Sequence, residues 1–552
     1  MKRFLLSFVT LVLTLSLPAA AQVRFTPRDS VLSESILQRL SAREDLRSGE
    51  MLLEAGRSLL GTPYVAGTLD DTPRETLTVS LTRTDCILFV ETCFNLTLCA
   101  QRREKGFYDL CNRIRDSRYR EGVVGVYEDR IHYTTEWIRK GEARGLLQDL
   151  TLPLGGKAYT GHPINYMSTH PDKYPLLKDP GTIREVESRL NREPMTYIPK
   201  SQIAAIEQEI LPGDIICFVT SIAGLDISHV ALACIHDGKV GFLHASSTGH
   251  QVMIDPKSIA EYAASQRSCA GIKVVRMTEK PAPVRHTFTY DGRQREYWLY
   301  IPDNAPEGCP LVMVLHGYGG KAEGYRPEMM DVAREEGFAV CYPQGRKNAV
   351  GKTGWNVGYP TQKDLEDNDL ALVSDLARRL QEEQGFSARN TFLTGMSNGG
   401  EMCYLTAWSA DTTFTALASV AGLMMKWRYD GPAPTRAIPF LEIHGTADKT
   451  SHWEGDPEGK FGWGGYTSVP AAVAGIVSLD RCPAYERTVL EPRNPGAHRI
   501  ILHRYSGGQA AWEGGPSCEV RLYEVEGGKH SWFMKDIDTC REIWDFFKQY
   551  LR

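Results

Sequence analysis

Hydrophobic and polar positions divide the chain into two stretches. From about residue 25 to 278, helix-like patterns come first and strand-like patterns follow. Residues 51–60 read as a helix and Gly61-Thr62-Pro63-Tyr64-Val65-Ala66-Gly67 as a loop. The apolar run 87–94 follows Thr84-Asp85-Cys86, so Thr84 or Asp85 is the expected N-cap and Cys86 falls in the first helical turn. Residues 228–236 and 239–245 alternate as strands around Asp237-Gly238, a two-residue hairpin turn. That turn sets 236 opposite 239, and hence 231 opposite 244 and 229 opposite 246. His229 and His244 then share one sheet face as diagonal neighbours.

From about 284 to 552, strands and helices alternate, which predicts a parallel sheet. Residues 286–301 read as a hairpin turning at Asp291-Gly292. An apolar strand at 310–316 runs into Gly317-Tyr318-Gly319-Gly320. Residues 338–342 form a second buried strand, and 369–384 an amphipathic helix. A strand at 391–394 leads straight into Gly395-Met396-Ser397-Asn398-Gly399-Gly400, and a helical run starts at Glu401. Later strands are expected at 438–444 and 521–525. The prolines of Glu279-Lys280-Pro281-Ala282-Pro283 stop both helix and sheet. The expected division is a leader at 1–21, a first domain at 22–278, a linker at 279–283 and a second domain at 284–552.

Composition narrows the class. The 552 residues exceed one ordinary domain. Hydrophobic residues at 42% and charged residues at 24% match an average globular protein. A net charge of −5 leaves no basic footprint, so nucleic acid is not an expected partner. Met1-Lys2-Arg3, the apolar residues 4–17 and Pro18-Ala19-Ala20-Ala21 have the layout of a secretory leader, with no cysteine near the cut. The expected location is therefore periplasmic or secreted, with no integral membrane association. The 13 cysteines are odd in number, so at least one lacks an intrachain partner. No C-x-x-C spacing occurs, and neither metal nor cofactor is expected.

Strand, Gly-x-Ser-x-Gly, helix is the setting of a nucleophile elbow, with Ser397 at its tip. The base and its orienting carboxylate should follow in the order acid, then histidine. Asp448, leaving the strand at 438–444, fits the carboxylate, with Asp456 the weaker alternative. His530, on the loop after 521–525, fits the base better than His444 or His452. The backbone N–H groups of Asn398 and Tyr318 are the expected oxyanion donors. Trp355 and Trp532 are candidate apolar walls, each with core packing as its alternative. In the first stretch, Cys86 at a helix start is the candidate thiolate, its pKa lowered by the helix dipole. His229 is its base and His244 the orienting imidazole.

These motifs carry two resemblances. LVMVLHGYGG, TGMSNGG, EIHGTADKTSHW and GGKHSWF resemble the secreted esterase family of polyhydroxybutyrate depolymerases, feruloyl esterases and some acetyl xylan esterases. This implies an α/β-hydrolase fold acting on esters. GTPYV, TDC, LPGD, SHVALA and FLHASS resemble NlpC-like papain-fold cell-wall peptidases. YEDRIHYTTEW and INYMSTH resemble a branch that cleaves N-acetylmuramoyl-L-alanine bonds in muropeptides. That branch implies a groove lined by Tyr64, Tyr127, Arg130, His132, Tyr133 and Trp137. The expected fold is thus an α+β papain-like domain followed by an α/β-hydrolase domain. The expected substrates are a muropeptide and an acylated polysaccharide or oligosaccharide, the acyl group being feruloyl or acetyl. The alternative is a polyhydroxyalkanoate or short-acyl esterase with an inactive glycan-binding first domain. The charged run Arg102-Arg103-Glu104-Lys105 reads as a solvated helix face.

Overall fold

The computed structural model describes residues 23–362, 368–432, 434 and 436–552; the expected leader lies outside them. No described helix is long and apolar enough to cross a membrane. All 13 cysteines are free thiols.

The chain folds around two sheets, one in each half. In the first half, Pro27–Ser41, Ser48–Arg57, Cys86–Gln101 and Phe107–Arg118 are helices that precede every strand. Cys86–Gln101 is apolar on all sides, and it is buried from Leu88 to its end, as a central helix must be. Asp85, not Thr84, caps it: the Asp85 side chain accepts from the Leu88 N–H at 2.9 Å. The helix lies against the strand Ile227–His236, which pairs with Lys239–Ser246 in the register the turn dictates, His236 opposite Lys239. Asp237 and Gly238 both have positive φ, at 49° and 73°, as that tight turn requires. Ile215–Thr220 flanks this pair on one side and Gln251–Ile254 on the other.

The second half holds a ten-stranded sheet. Its parallel centre runs Val520–Val525, Phe440–Gly445, Ala416–Val420, Thr391–Met396, Leu311–Leu315, Ala339–Pro343. Antiparallel strands extend both edges. The chain steps from Leu311–Leu315 to one side and then crosses back to the other. This places a topological switch point between Leu311–Leu315 and Thr391–Met396, where open α/β sheets bind ligands at the carboxyl ends of their strands.

Only half of the charged run 102–105 is solvated: Arg103 and Lys105 are exposed beyond the helix end at Gln101, but Arg102 and Glu104 are not. Arg102 is about 7% exposed and bonds Asp331 at 2.8 Å and Glu335 at 3.4 Å in the second half. Arg144 and Arg541 converge on the same Glu335. Glu104 pairs with Arg113 at 2.6 Å and Arg493 at 3.5 Å. Burial acts to raise both carboxyls, but the surrounding guanidinium groups outweigh it and hold each at about 2. Contact with the other half removed the solvent that a polar run suggests. Removing one member strands a buried charge. Arg102→Met should therefore cost about 3 kcal/mol and lower the urea midpoint of the full chain. An unchanged midpoint would mean that the network is as weak as a surface pair.

Candidate active sites

Ser397 has φ +55° and ψ −123°, a strained conformation for a residue with a side chain, at the junction of Thr391–Met396 and the helix Asn398–Ala407. The flanking glycines permit it. A Cβ on Gly395 would sit 2.6 Å from the Gly399 backbone, and one on Gly399 would sit 2.4 Å from the Leu315 carbonyl. A Cβ on Gly317 would come within 3.3 Å of Ser397 Cβ, so the Gly317–Tyr318 turn borders Ser397.

Asp448 follows Phe440–Gly445 and His530 follows Val520–Val525, both at the carboxyl edge. His530 Nδ1 donates to Asp448 Oδ2 at 2.7 Å. The Thr450 and Ser451 N–H groups bond Asp448 Oδ1 at 2.7 and 2.9 Å. Burial acts to raise the Asp448 pKa, but these hydrogen bonds prevail and it lies below the usual carboxylate value. Asp456 instead accepts from the Phe461 N–H. His444 is fully buried between Glu442 and the Ser451 carbonyl, each at 2.8 Å, and braces the Asp448 loop. No hydrogen bond joins Ser397 Oγ to His530 among the described residues, which is common before substrate binds.

Trp355 is not a wall. It is fully buried; its Nε1–H donates to the His316 carbonyl at 2.8 Å, and its backbone N–H and C=O bond the Asn398 amide. It ties together the two segments that carry the expected oxyanion donors. Trp532 is 2% exposed and bonds Cys540, so it too is mainly core.

In the first half, His229 Nε2 and His244 Nδ1 share a hydrogen bond of 2.7 Å. His244 Nε2 stands 3.5 Å from Asp255 Oδ2, a carboxylate the sequence reading missed. The signal was present: Met253 pairs with His244, and Asp255 alternates onto the same face. Cys86 is partly exposed, yet burial of its sulfur and the nearby Asp85 push the thiol up to about 12 against the backbone N–H groups that favour a thiolate. The helix dipole does not win here. Burial, reinforced by His244, lowers His229 to about 3, and burial lowers His244 to about 4 despite Asp255. The Cys86 thiol and the two imidazoles are therefore uncharged at rest.

The six expected groove residues divide. Tyr64 is half-buried beside Cys86. His132, Tyr133 and Trp137 line a small pocket of about 50 Å³ with Ile87, next in sequence to Cys86. The Tyr133 hydroxyl is already satisfied by Glu187 and the Met167 N–H, at 2.7 and 2.9 Å. Tyr127 is buried under the Arg130 guanidinium, which pairs with Asp70 and Glu75.

Residues 54–272 match the family model AmiA-like, described as N-acetylmuramoyl-L-alanine amidase-like. These residues belong to the N-acetylmuramoyl-L-alanine amidase-like family. A solved N-acetylmuramoyl-L-alanine amidase from Bacteroides uniformis is 30% identical, over 42% of this chain and 99% of its own, with a TM-score of 0.39. The second half is similar to esterases. NocK, a candidate esterase of Nocardia uniformis subsp. tsuyamanensis, is 35% identical over 30% of this chain and 48% of its own length. Feruloyl esterase B of Thermothelomyces thermophilus is 26% identical over 29% of this chain and 55% of its own. The chain spans about half the length of the curated relatives it matches.

The neutral resting pair of the amidase-like half has a measurable consequence. In the free protein, the rate of Cys86 alkylation by iodoacetamide, followed by peptide mass spectrometry, should still be rising at pH 9. A plateau below pH 7 would show a preformed thiolate instead.

Proposed function

We propose that the chain is a bifunctional hydrolase, with a papain-like cysteine amidase in the first half and an α/β-hydrolase serine esterase in the second. One observation carries this reading. Each half holds an imidazole pinned through one ring nitrogen at 2.7 Å, with no hydrogen bond on its other nitrogen among the described residues. That free nitrogen is what a base needs to face a nucleophile.

In the esterase half, Ser397 Oγ attacks an ester carbonyl as His530 Nε2 takes its proton. The Tyr318 and Asn398 N–H groups would stabilise the oxyanion, each worth about 3 kcal/mol. The alcohol leaves with the proton from His530, and water then attacks the acyl-serine by the same route. In the amidase half, Cys86 Sγ attacks the lactyl carbonyl of an N-acetylmuramoyl-L-alanine bond while His229 Nδ1 takes the thiol proton. The alanine nitrogen leaves with that proton, and water releases the carboxylate. Starting from neutral partners, proton transfer accompanies attack. The similarity to an N-acetylmuramoyl-L-alanine amidase supports a muropeptide as the first substrate. The similarity to feruloyl esterases supports an acylated carbohydrate as the second.

Single substitutions should separate the activities. Ser397→Ala should cut hydrolysis of 4-nitrophenyl acetate by on the order of 10⁴-fold or more and leave muropeptide cleavage intact. Cys86→Ala should do the reverse, with products read by mass spectrometry. Muropeptide cleavage that survives Cys86→Ala would remove the cysteine assignment. Asp448→Asn should cost about 10⁴-fold in kcat for the ester by losing the required His530 tautomer.

A further inference from the structure

A cleft of about 910 Å³, walled by both halves of the chain, opens against the loop that carries His530, on the side of Lys529 and Ser531. Lys105 to Asp109 form one side; Arg326, Glu328 and the segment around Lys529 and Ser531, the neighbours of His530, form the other. Arg326 sits where the two catalytic loops meet. Its Nη2 is 3.3 Å from the sulfur of Met396, the residue before Ser397. Its guanidinium lies 4.9 Å from the Trp532 ring, two residues after His530, and 5.3 Å from the Tyr325 ring. The backbone there is left-handed, with φ +45°, and its carbonyl is held by the Tyr342 hydroxyl at 3.2 Å. A residue with a side chain is thus kept in a costly conformation at a functional edge.

This guanidinium has no carboxylate partner. Among the described residues no ion pair of 4.0 Å or less involves Arg326, although Glu328 is near enough to feel its charge, and the Arg326 Nε is buried without a hydrogen bond. Other arginines lining the cleft differ: Arg102 is paired with Asp331 and Glu335, and Arg103 with Glu44. Glu328 faces the same space; burial raises its carboxyl pKa against the opposing pull of Arg326, and its Oε2 is also unpartnered. An oriented arginine fork between aromatic rings suits a planar carboxylate.

We propose that Arg326 receives a carboxylate of the substrate, so that the esterase half acts on acyl esters of acidic sugars. The inference rests on the esterase reading above. It also gives the two halves an order. Cleavage of an N-acetylmuramoyl-L-alanine bond leaves a free lactyl carboxylate on the sugar, the kind of group Arg326 would bind. An acidic sugar of this kind is supplied by an amide hydrolysis or is present in a uronic-acid glycan.

Two matched pairs of acetyl esters test this on the full chain: 6-O-acetyl-N-acetylmuramic acid against 6-O-acetyl-N-acetylglucosamine, and an acetylated methyl glucuronoside against the corresponding glucoside. Wild type should favour the acidic member of at least one pair by about tenfold or more in kcat/KM, and the pair that shows it identifies the carboxylate source. Arg326→Gln should bring that ratio close to one, and Arg326→Lys should keep part of it. Near-UV circular dichroism checks that both variants are folded. Equal kcat/KM within both pairs for wild type would overturn the proposal and leave the esterase reading standing, as would a preference that persists in Arg326→Gln. Failure of wild type to release acetate from any of these esters or from 4-nitrophenyl acetate would overturn the esterase reading, and this proposal with it.

Discussion

An imidazole becomes a useful base only when one of its nitrogens is held. The 2.7 Å bonds from His530 to Asp448 and between His229 and His244 meet that requirement, and much of each half exists to keep them in place. In the second half the holding group is an ionised carboxylate fed by two backbone amides and braced by the buried His444. In the first it is a neutral ring with a carboxylate 3.5 Å behind it. The difference follows from burial. The low values of His229 and His244 show how strongly their surroundings disfavour charge. A second imidazole orients without demanding a buried ion.

Buried ion pairs join the halves. Glu335 gathers Arg102, Arg144 and Arg541, which come from three different segments and from both sides of the boundary. Such a cluster tolerates few relative orientations, because each missing partner leaves an uncompensated ion. It also sets the distance between the chemistries. Cys86 starts the helix whose far end is Gln101, next to Arg102. At about 1.5 Å per residue, that helix separates the thiol from the interface by roughly 24 Å. The sites do not share a pocket; any intermediate must travel between them.

Much of this was legible in residue order. Local chemistry dictates local shape: the Asp237-Gly238 turn set the hairpin register and so brought His229 to His244, and the glycines around Ser397 announced the elbow. The strands that would carry Asp448 and His530 were legible at 438–444 and 521–525, each with its loop at the end. What pattern could not show was depth. Burial of the Cys86 sulfur reverses the pKa direction that its helix position suggests. Burial also turns Arg102 and Glu104 from an apparent surface run into an interface, and Trp355 from a wall into a tie. Each depends on contacts from distant segments, which polarity along the chain does not encode. Asp255 was hidden for a lesser reason: its strand is short, so the alternation that aims it at His244 has few residues to declare itself.

The contrast between the two proposed nucleophiles follows from how far each must be activated. A serine hydroxyl is a poor nucleophile at any accessible pH, so its site invests in a charged orienting group and a strained turn that exposes the oxygen. A thiol is intrinsically reactive, and its thiolate is the form that oxidants and disulfides consume. Holding Cys86 protonated until a substrate carbonyl arrives protects it, at the cost of moving a proton in the same step as attack. On the proposed assignment, burial around the sulfur shelters the thiol, whereas the Ser397 hydroxyl has nothing to lose to oxidation and needs no such shelter.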